Sequence, residues 1–341
     1  MYVPTTALVF DRSIAHFGWS RRRAVIVIGV VLLLLPFVIA YLETGSDWLS
    51  MITDRRARQL FFYPLMITYL LAVIGPIQRT EQDVARAIRP MAQVDDDTFA
   101  ATAAAACRVR PISELGAAAT GVVFFLAMEG MPDILPEFPV ASRYVYSAGL
   151  VMFGVIGWSV FVSFTITRVT NALLRLPVKI DIFNTEVLSP IGRQSLYLAL
   201  VFVGAIVLSL FFVVSPSSLR EFLSVDNLVI YSILITLTVS VFYLNMHRTH
   251  SLLAAEKAEQ LSLTERSLAQ AYYALQKSIS TGEDTLAAAT AVNALSASKG
   301  ELRLTRTWPY NTEMLRTLAI SVVTPVAVGL ARVLAPLLSS R

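Results

Sequence analysis

Hydroxyl side chains recur in the apolar segments of this sequence at a spacing that places them on one helix face. Ser159, Ser163 and Thr167 follow one another every four residues, and Thr236 and Ser240 form a similar pair further along. Residues three or four apart are neighbours on a helix surface. Such a face either lets two helices approach closely or lines a water-filled path, as in a channel. Both interpretations stay open.

Carboxylates are concentrated in the segments between apolar stretches, most densely at Glu129, Asp133 and Glu137. Acidic side chains at a pore mouth would concentrate cations, and ordinary solvent-exposed loop charges are the alternative. Glu129 and Arg332 come closest to lying within an apolar stretch, and we expect both at the membrane interface, because a charge at the membrane centre is costly. The absence of a central carboxylate argues against a proton-coupled transporter.

Residues for enzymatic chemistry are scarce. The sequence has no H-E-x-x-H, no G-x-S-x-G and no phosphate-binding glycine loop. Cys107 is the single cysteine, and His247 and His250 have no evident further ligands. The acidic run 95–97 does not follow a calcium-loop pattern, and we expect one of its residues to cap a helix. We therefore predict no enzyme activity, no cofactor and no metal site.

The elements that would carry these residues are apolar stretches long enough to cross a membrane. Hydrophobic residues make up 55% of the 341 residues, charged residues 15%, and the mean hydropathy is +0.63. Soluble domains average about 45–50% apolar and about 25% charged residues. Stretches of about 20 apolar residues match a bilayer core. They lie at 24–42, 59–77, 113–130, 144–167, 195–214, 227–245 and, interrupted by Arg332, 315–338. We predict an all-α polytopic membrane protein with about seven spans.

The distribution of Lys and Arg predicts the orientation. With a cytoplasmic N-terminus, most of the 28 basic residues fall on the inner side, as the positive-inside rule requires. The cluster at 54–58 is an exception. The first stretch is too long and too far from the N-terminus for a cleaved signal peptide. We therefore predict an integral protein of the prokaryotic inner membrane with the lipid bilayer as a partner, and the net charge of +4 gives no reason to expect nucleic acid.

A long polar helix follows the sixth stretch. Residues 217–281 contain neither Gly nor Pro, so this span can continue into the cytoplasm as one rod that ends at Gly282. Leu261, Leu268 and Leu275 occupy one heptad position, as in a coiled coil. A second helix from 283 to 298, with Gly300 placed for its end, would return the chain to the membrane. The leucine seam serves either an internal hairpin or self-association with other subunits.

The stretch RLPVKIDIFNTEVLSPIGRQSL at 175–196 predicts an extended connector, followed by a helix that starts at Ser189 and Pro190. A tight inner-surface connector and a gating loop are both compatible with it. Together with TRTWPYN at 305–311 and the apolar tail, it resembles segments of uncharacterised prokaryotic polytopic membrane proteins. That resemblance covers about the last half of the chain, implies a seven-span layout, and brings no activity or binding residues with it.

These features predict three regions. Residues 1–245 form a six-span membrane domain with a cytoplasmic loop at 78–112, residues 246–310 form a cytoplasmic stalk or hairpin, and residues 311–341 form a C-terminal apolar helix that makes the seventh span. The leading functional hypothesis is a homo-oligomeric channel that passes small cations. The alternatives are a non-conducting scaffold or sensor whose stalk binds a cytoplasmic protein, and a uniporter for a neutral substrate.

Overall fold

The structure is a computed structural model. It describes residues 6, 8–47, 55–130, 139–179, 181, 185–213, 225–282, 285–305, 307–308, 316–317 and 319–320. The α-helices in these ranges are α1 (Val9–His16), α2 (Arg21–Thr44), α3 (Arg55–Ile88), α4 (Asp96–Cys107), α5 (Pro111–Glu129), α6 (Val140–Leu173), α7 (Ser189–Val213), α8 (Val225–Thr281) and α9 (Leu286–Leu304). The predicted seventh span at 315–338 lies outside the described residues, except for 316–317 and 319–320.

Six helical segments are long and apolar enough to cross a membrane. They are Arg21–Thr44, Leu60–Met91, Asp96–Glu129, Val140–Leu173, Ser189–Phe212 and Val229–Thr281. Each overlaps one of the first six apolar stretches of the sequence, to within two residues at either end. The described residues contain no β-strand, apart from a single antiparallel bridge between Ala92 and Val178. The all-α prediction is confirmed for this part of the chain.

Helix α3 lies at the centre of the bundle and contacts α2, α6 and α7. Its buried face contributes Met66, Leu70 and Ile74 to the main apolar core, which Ile166 of α6 and Phe202 of α7 complete. Helix α8 packs on the outer side of α7 and also touches α6. Two internal prolines do not end α3, which runs eleven residues beyond the predicted span 59–77.

Helices α5 and α6 pack closely because glycines lie at their contact. A Cβ atom added at Gly121 would lie 2.0 Å from the carbonyl oxygen of Phe153, and one at Gly157 would lie 2.4 Å from the carbonyl oxygen of Ala117. Small residues allow such close backbone approach between apolar helices. This contact fixes how the middle of α5 lies against the middle of α6.

A second apolar cluster lies at the end of the bundle where α3 finishes and α4 begins. Asp95 caps α4, because its carboxylate accepts the N–H of Thr98 at 2.9 Å. This hydrogen bonding lowers the pKa of Asp95. One residue of the acidic run 95–97 therefore caps a helix, as predicted. The connector after α6 pairs with this region through Gln93, whose N–H donates to the carbonyl of Pro177 at 2.8 Å.

Helix α8 continues without a break from its apolar part into the polar stretch, for a length of about 85 Å at the rise of an α-helix. It ends at Thr281, and Gly282 adopts a left-handed conformation with φ of +72°. Helix α9 packs along it as a hairpin within the chain. The predicted end of this second helix at Gly300 is wrong, since α9 continues to Leu304.

The hairpin is held by polar contacts near the C-terminal end of α9. Lys299 forms an ion pair with Glu265 at 2.9 Å, and Lys257 donates to the carbonyl oxygens of Arg303 and Thr305. The hydrogen bond from Lys299 lowers the pKa of Glu265. The seam residues Leu261, Leu268 and Leu275 are half-buried.

Candidate functional site

The hydroxyl residues predicted to share a face on α6 lie in the packed interior of the single chain. Ser159, Ser163 and Thr167 are all buried. Ser163 donates to the carbonyl of Ser159 at 2.9 Å, and Thr167 donates to the carbonyl of Ser163 at 3.0 Å. On α8, Thr236 is exposed and Ser240 is half-buried. Ser163 and Thr167 are therefore bonded to their own backbone, which is how hydroxyls are accommodated in apolar helices, whereas the buried Ser159 hydroxyl has no hydrogen-bond partner among the described residues.

The predicted outer acidic group can be followed only in part. Glu129 is the last residue of α5 and is exposed. Asp133 and Glu137 lie outside the described residues. Another carboxylate has a defined role near this end of the bundle, because Glu43 accepts the N–H of Ala141 at 2.9 Å at the start of α6.

Two carboxylates that the sequence analysis did not single out are buried in the bundle. Glu81 lies on α3 and Glu114 lies in the first turn of α5, and each is 2% exposed. Among the described residues, neither forms an ion pair. Buried carboxylates without a cationic partner are rare, because burial of a charge is costly unless it is paired and hydrogen-bonded. Both acids are held instead by neutral donors.

Glu114 accepts hydrogen bonds from the N-terminal segment and from α6. The N–H of Val9 lies 3.1 and 3.0 Å from its two carboxylate oxygens, and Nε1 of Trp158 donates to Oε2 at 2.9 Å. Val9 is the first residue of α1, so its N–H has no partner within that helix. A carboxylate is a favourable acceptor at this positive helix end. Glu114 thereby joins α1, α5 and α6.

Glu81 binds the residue just before α1. Thr6 donates its N–H to Oε2 at 3.2 Å and its hydroxyl to Oε1 at 2.8 Å. The thiol of Cys107, at the end of α4, lies 3.4 Å from Oε1. Glu81 therefore connects α3 with the N-terminal segment and with α4.

A third set of contacts fixes α1 itself. The amide of Gln78 donates to the carbonyl of Thr6 at 3.1 Å and to Asp11 at 2.9 Å. Asp11 also forms an ion pair with Arg21, at the start of α2, at 2.9 Å. The segment from Thr6 through α1 is thus bound to three helices of the bundle, and Leu8 is completely buried.

The same segment forms one wall of a groove of about 490 Å³ between α1, α3, α5 and α6. Most of the lining is apolar, and its polar side chains include Glu114, whose carboxylate lies beside Trp158. Its mouth lies on the side of the bundle, where Leu115 and Val151 are 63% and 54% exposed. The groove therefore opens laterally, on a surface that is apolar.

Sequence reasoning missed this site because its signal is weak. Glu114 lies at the edge of the apolar stretch 113–130, and Glu81 lies in a region predicted to be a loop. The donors to both acids include backbone N–H groups, and such donors cannot be recognised from residue types. Among the residues that the structure describes, no group of three or more His, Cys, Asp or Glu side chains is placed to hold a metal ion. Comparison with protein-family models, with curated proteins and with solved structures gives no match to this chain.

Proposed function

We propose that this chain is an integral membrane protein that binds an apolar small molecule in its lateral groove, as a carrier or receptor that takes its ligand from the lipid phase. The observation that carries the proposal is the groove itself, which combines apolar walls with a side opening. The uniporter hypothesis anticipates a cavity of this kind, whereas a purely structural scaffold has no need of one.

The dimensions and lining of the groove support this function. Its volume of about 490 Å³ lies within the range of about 300–1,000 Å³ that is usual for small-molecule sites. Leu71, Val122 and Val155 give it apolar walls. Exposed apolar side chains at its mouth would face hydrocarbon in a bilayer, so a ligand dissolved in the membrane could enter without crossing water.

The proposed orientation places the N-terminal segment on the cytoplasmic side of the inner membrane, following the distribution of basic residues. In that orientation α1, which lines the groove through Val9, Phe10 and Ser13, lies toward the cytoplasmic side. Accessibility labelling tests this, since a cysteine introduced at Lys257 should react with an impermeant reagent only from the cytoplasmic side.

Photo-crosslinking tests the proposed function. The protein, reconstituted in lipid nanodiscs, is irradiated with a diazirine-bearing hydrocarbon, and the labelled residues are mapped by mass spectrometry. We expect saturable labelling of α5 and α6 at the groove. Val151→Trp, which fills the mouth, should abolish this saturable labelling. Val31→Trp, at an exposed apolar position of α2, should retain it. Labelling that rises linearly in the unaltered protein, or that persists in Val151→Trp, would contradict the proposal.

The polar hairpin supports a second candidate function, that of a sensor whose stalk binds a cytoplasmic protein. Tyr272, Tyr273 and Ile279 are exposed on α8, on the part that extends beyond its apolar stretch. Apolar side chains grouped on an otherwise polar helix are typical of interaction surfaces. Replacement of all three residues by serine should abolish binding of the cytoplasmic protein and leave the photo-crosslinking of the groove unchanged.

The cation channel remains a proposal for an assembly of several copies. Within one chain Ser163 and Thr167 are buried and bonded to the backbone, so a conducting path would have to form between subunits, for example along the face of α8 that exposes Thr236. Subunit number in nanodiscs and conductance in planar bilayers test it together. A monomer without conductance would exclude this function.

A further inference from the structure

A carboxylate, Glu114, belongs to the lining of the apolar groove, and this indicates the class of ligand. We propose that the occupant is a single-chain amphipathic amine, whose ammonium group pairs with Glu114 while its hydrocarbon chain fills the groove. The inference rests on the proposed function and adds to it the chemistry of the ligand's polar end.

The charge of the groove is the first argument. Glu114 is its one ionisable lining residue among those that the structure describes. Its carboxylate accepts from Val9 and Trp158, which are both neutral donors. A carboxylate oxygen can accept two hydrogen bonds, and from the described part of the chain Oε1 receives only the one from Val9. A buried acid in this setting gains most from a cation, which both compensates the charge and supplies a further donor.

The aromatic side chains near Glu114 are the second argument. Phe10 and Trp158 both line the groove, with ring centroids 6.0 Å apart in an edge-to-face arrangement. The guanidinium of Arg21 lies 5.7 Å from the Phe10 centroid, and Asp11 compensates its charge. Trp158 lines the groove beside Glu114, and indole is the strongest of the aromatic partners for a ligand cation.

The burial of the carboxylate favours a single-chain amine over a phospholipid. Glu114 is 2% exposed, and the groove around it is mostly apolar. The ammonium of a phosphatidylethanolamine could reach Glu114 only by carrying its phosphate into the apolar groove. A single-chain amine has no second charge to bury.

Competition against the photo-crosslinking hydrocarbon tests this proposal. Dodecylamine, dodecanol and dodecanoate are titrated separately against saturable groove labelling in phosphatidylcholine nanodiscs. We expect dodecylamine to compete about tenfold more strongly than dodecanol, as a cation–π contact and an ion pair of modest strength would give, and dodecanoate to compete least. Glu114→Gln should bring amine and alcohol within about twofold of each other. Glu129→Gln, at the exposed end of the same helix, should leave the preference unchanged.

Equal competition by amine and alcohol in the unaltered protein would overturn the amine assignment and leave the groove function standing. A preference that survives in Glu114→Gln would also overturn it. Absence of any saturable labelling would remove the proposed function as well. If phosphatidylethanolamine in the nanodiscs abolishes the preference for dodecylamine, the ammonium group in the groove comes from the lipid. That result would overturn the assignment of a single-chain amine. If Glu114→Gln does not fold, the relative competition by dodecylamine, dodecanol and dodecanoate in the unaltered protein still tests the amine assignment.

Discussion

The backbone N–H of Val9 lies between the two carboxylate oxygens of Glu114, at 3.1 and 3.0 Å, although 105 residues separate the two in the sequence. Through this contact a buried acid of α5 caps the first helix of the chain. It also fixes α1 as a wall of the lateral groove. The stability of the N-terminal segment and the shape of the groove are thus coupled.

Replacement of Glu114 by alanine should destabilise the protein and release the N-terminal segment. The change leaves the N–H groups of Val9 and Trp158 without an acceptor, and each buried unsatisfied donor costs about 1–3 kcal/mol. We expect a lower unfolding temperature and faster proteolysis near α1. Glu129→Ala, at an exposed position, is the control and should match the unaltered protein. Equal proteolysis in both variants would refute the role of Glu114 in holding this segment.

The contact between Thr6 and Glu81 should protect the thiol of Cys107, which is buried against the same carboxylate. Thr6→Val removes the hydroxyl donor at a cost of about 1 kcal/mol and should increase the rate of Cys107 alkylation by N-ethylmaleimide. Cys107 is the single cysteine, so the labelled site is unambiguous. Ser13→Ala serves as the control. An alkylation rate that Thr6→Val leaves unchanged would show that the contact does not limit access.

The close contact between α5 and α6 predicts opposite effects for two glycines of one helix. Gly121→Ala places a Cβ atom against the carbonyl of Phe153 and should destabilise the protein by about 1–3 kcal/mol through overpacking. Gly116→Ala meets nothing within 4 Å and should be neutral or stabilise by up to about 1 kcal/mol, since alanine favours a helix. Thermal unfolding of the two variants measures the difference. Similar unfolding temperatures would mean that the helices are further apart than described.

The ion pair between Lys299 and Glu265 makes the hairpin sensitive to acid. Because Lys299 lowers the pKa of Glu265 in the folded state, the pair stabilises the hairpin above the ordinary pKa of this carboxyl. The contribution is lost as the pH falls through the lowered value. Spin labels on α8 and α9 should report a broader distance distribution at low pH. Glu265→Gln should show that breadth already at pH 7, whereas Glu259→Gln, on the exposed face of α8, should not.

The apolar stretches and the polar helix could be read from the sequence because each depends on many adjacent residues. Six stretches of the predicted length coincide with helices, and the absence of Gly and Pro from 217 to 281 accounts for the unbroken α8. The prediction that the second helix ends at Gly300 was wrong because a single glycine within a strong helical context does not end a helix. The prediction for α3 stopped short of Glu81 because hydropathy decreases there, although the helix continues.

The site itself could not be predicted from local sequence. Burial of Glu114 depends on Trp158, 44 residues away, and on the N–H of Val9, 105 residues away. The sequence analysis noted the absence of a carboxylate at the centres of the apolar stretches, and it did not consider their edges. Glu114 was not recognised as buried because it lies near the start of α5. It is buried nevertheless, because α5 packs against the middle of the longer α6. Only the relative offset of two helices reveals its depth.

Quenching of Trp158 fluorescence tests the central claim, a groove that admits a ligand from the membrane, most directly. In protein with Trp19, Trp48 and Trp308 replaced by phenylalanine, bromododecane titrated into nanodiscs should quench Trp158 along a saturable curve. A reference protein with its single tryptophan at the exposed position of Val31 should be quenched in linear proportion to the bromododecane content of the lipid. The same linear curve at both positions, or no quenching of Trp158, would contradict the account.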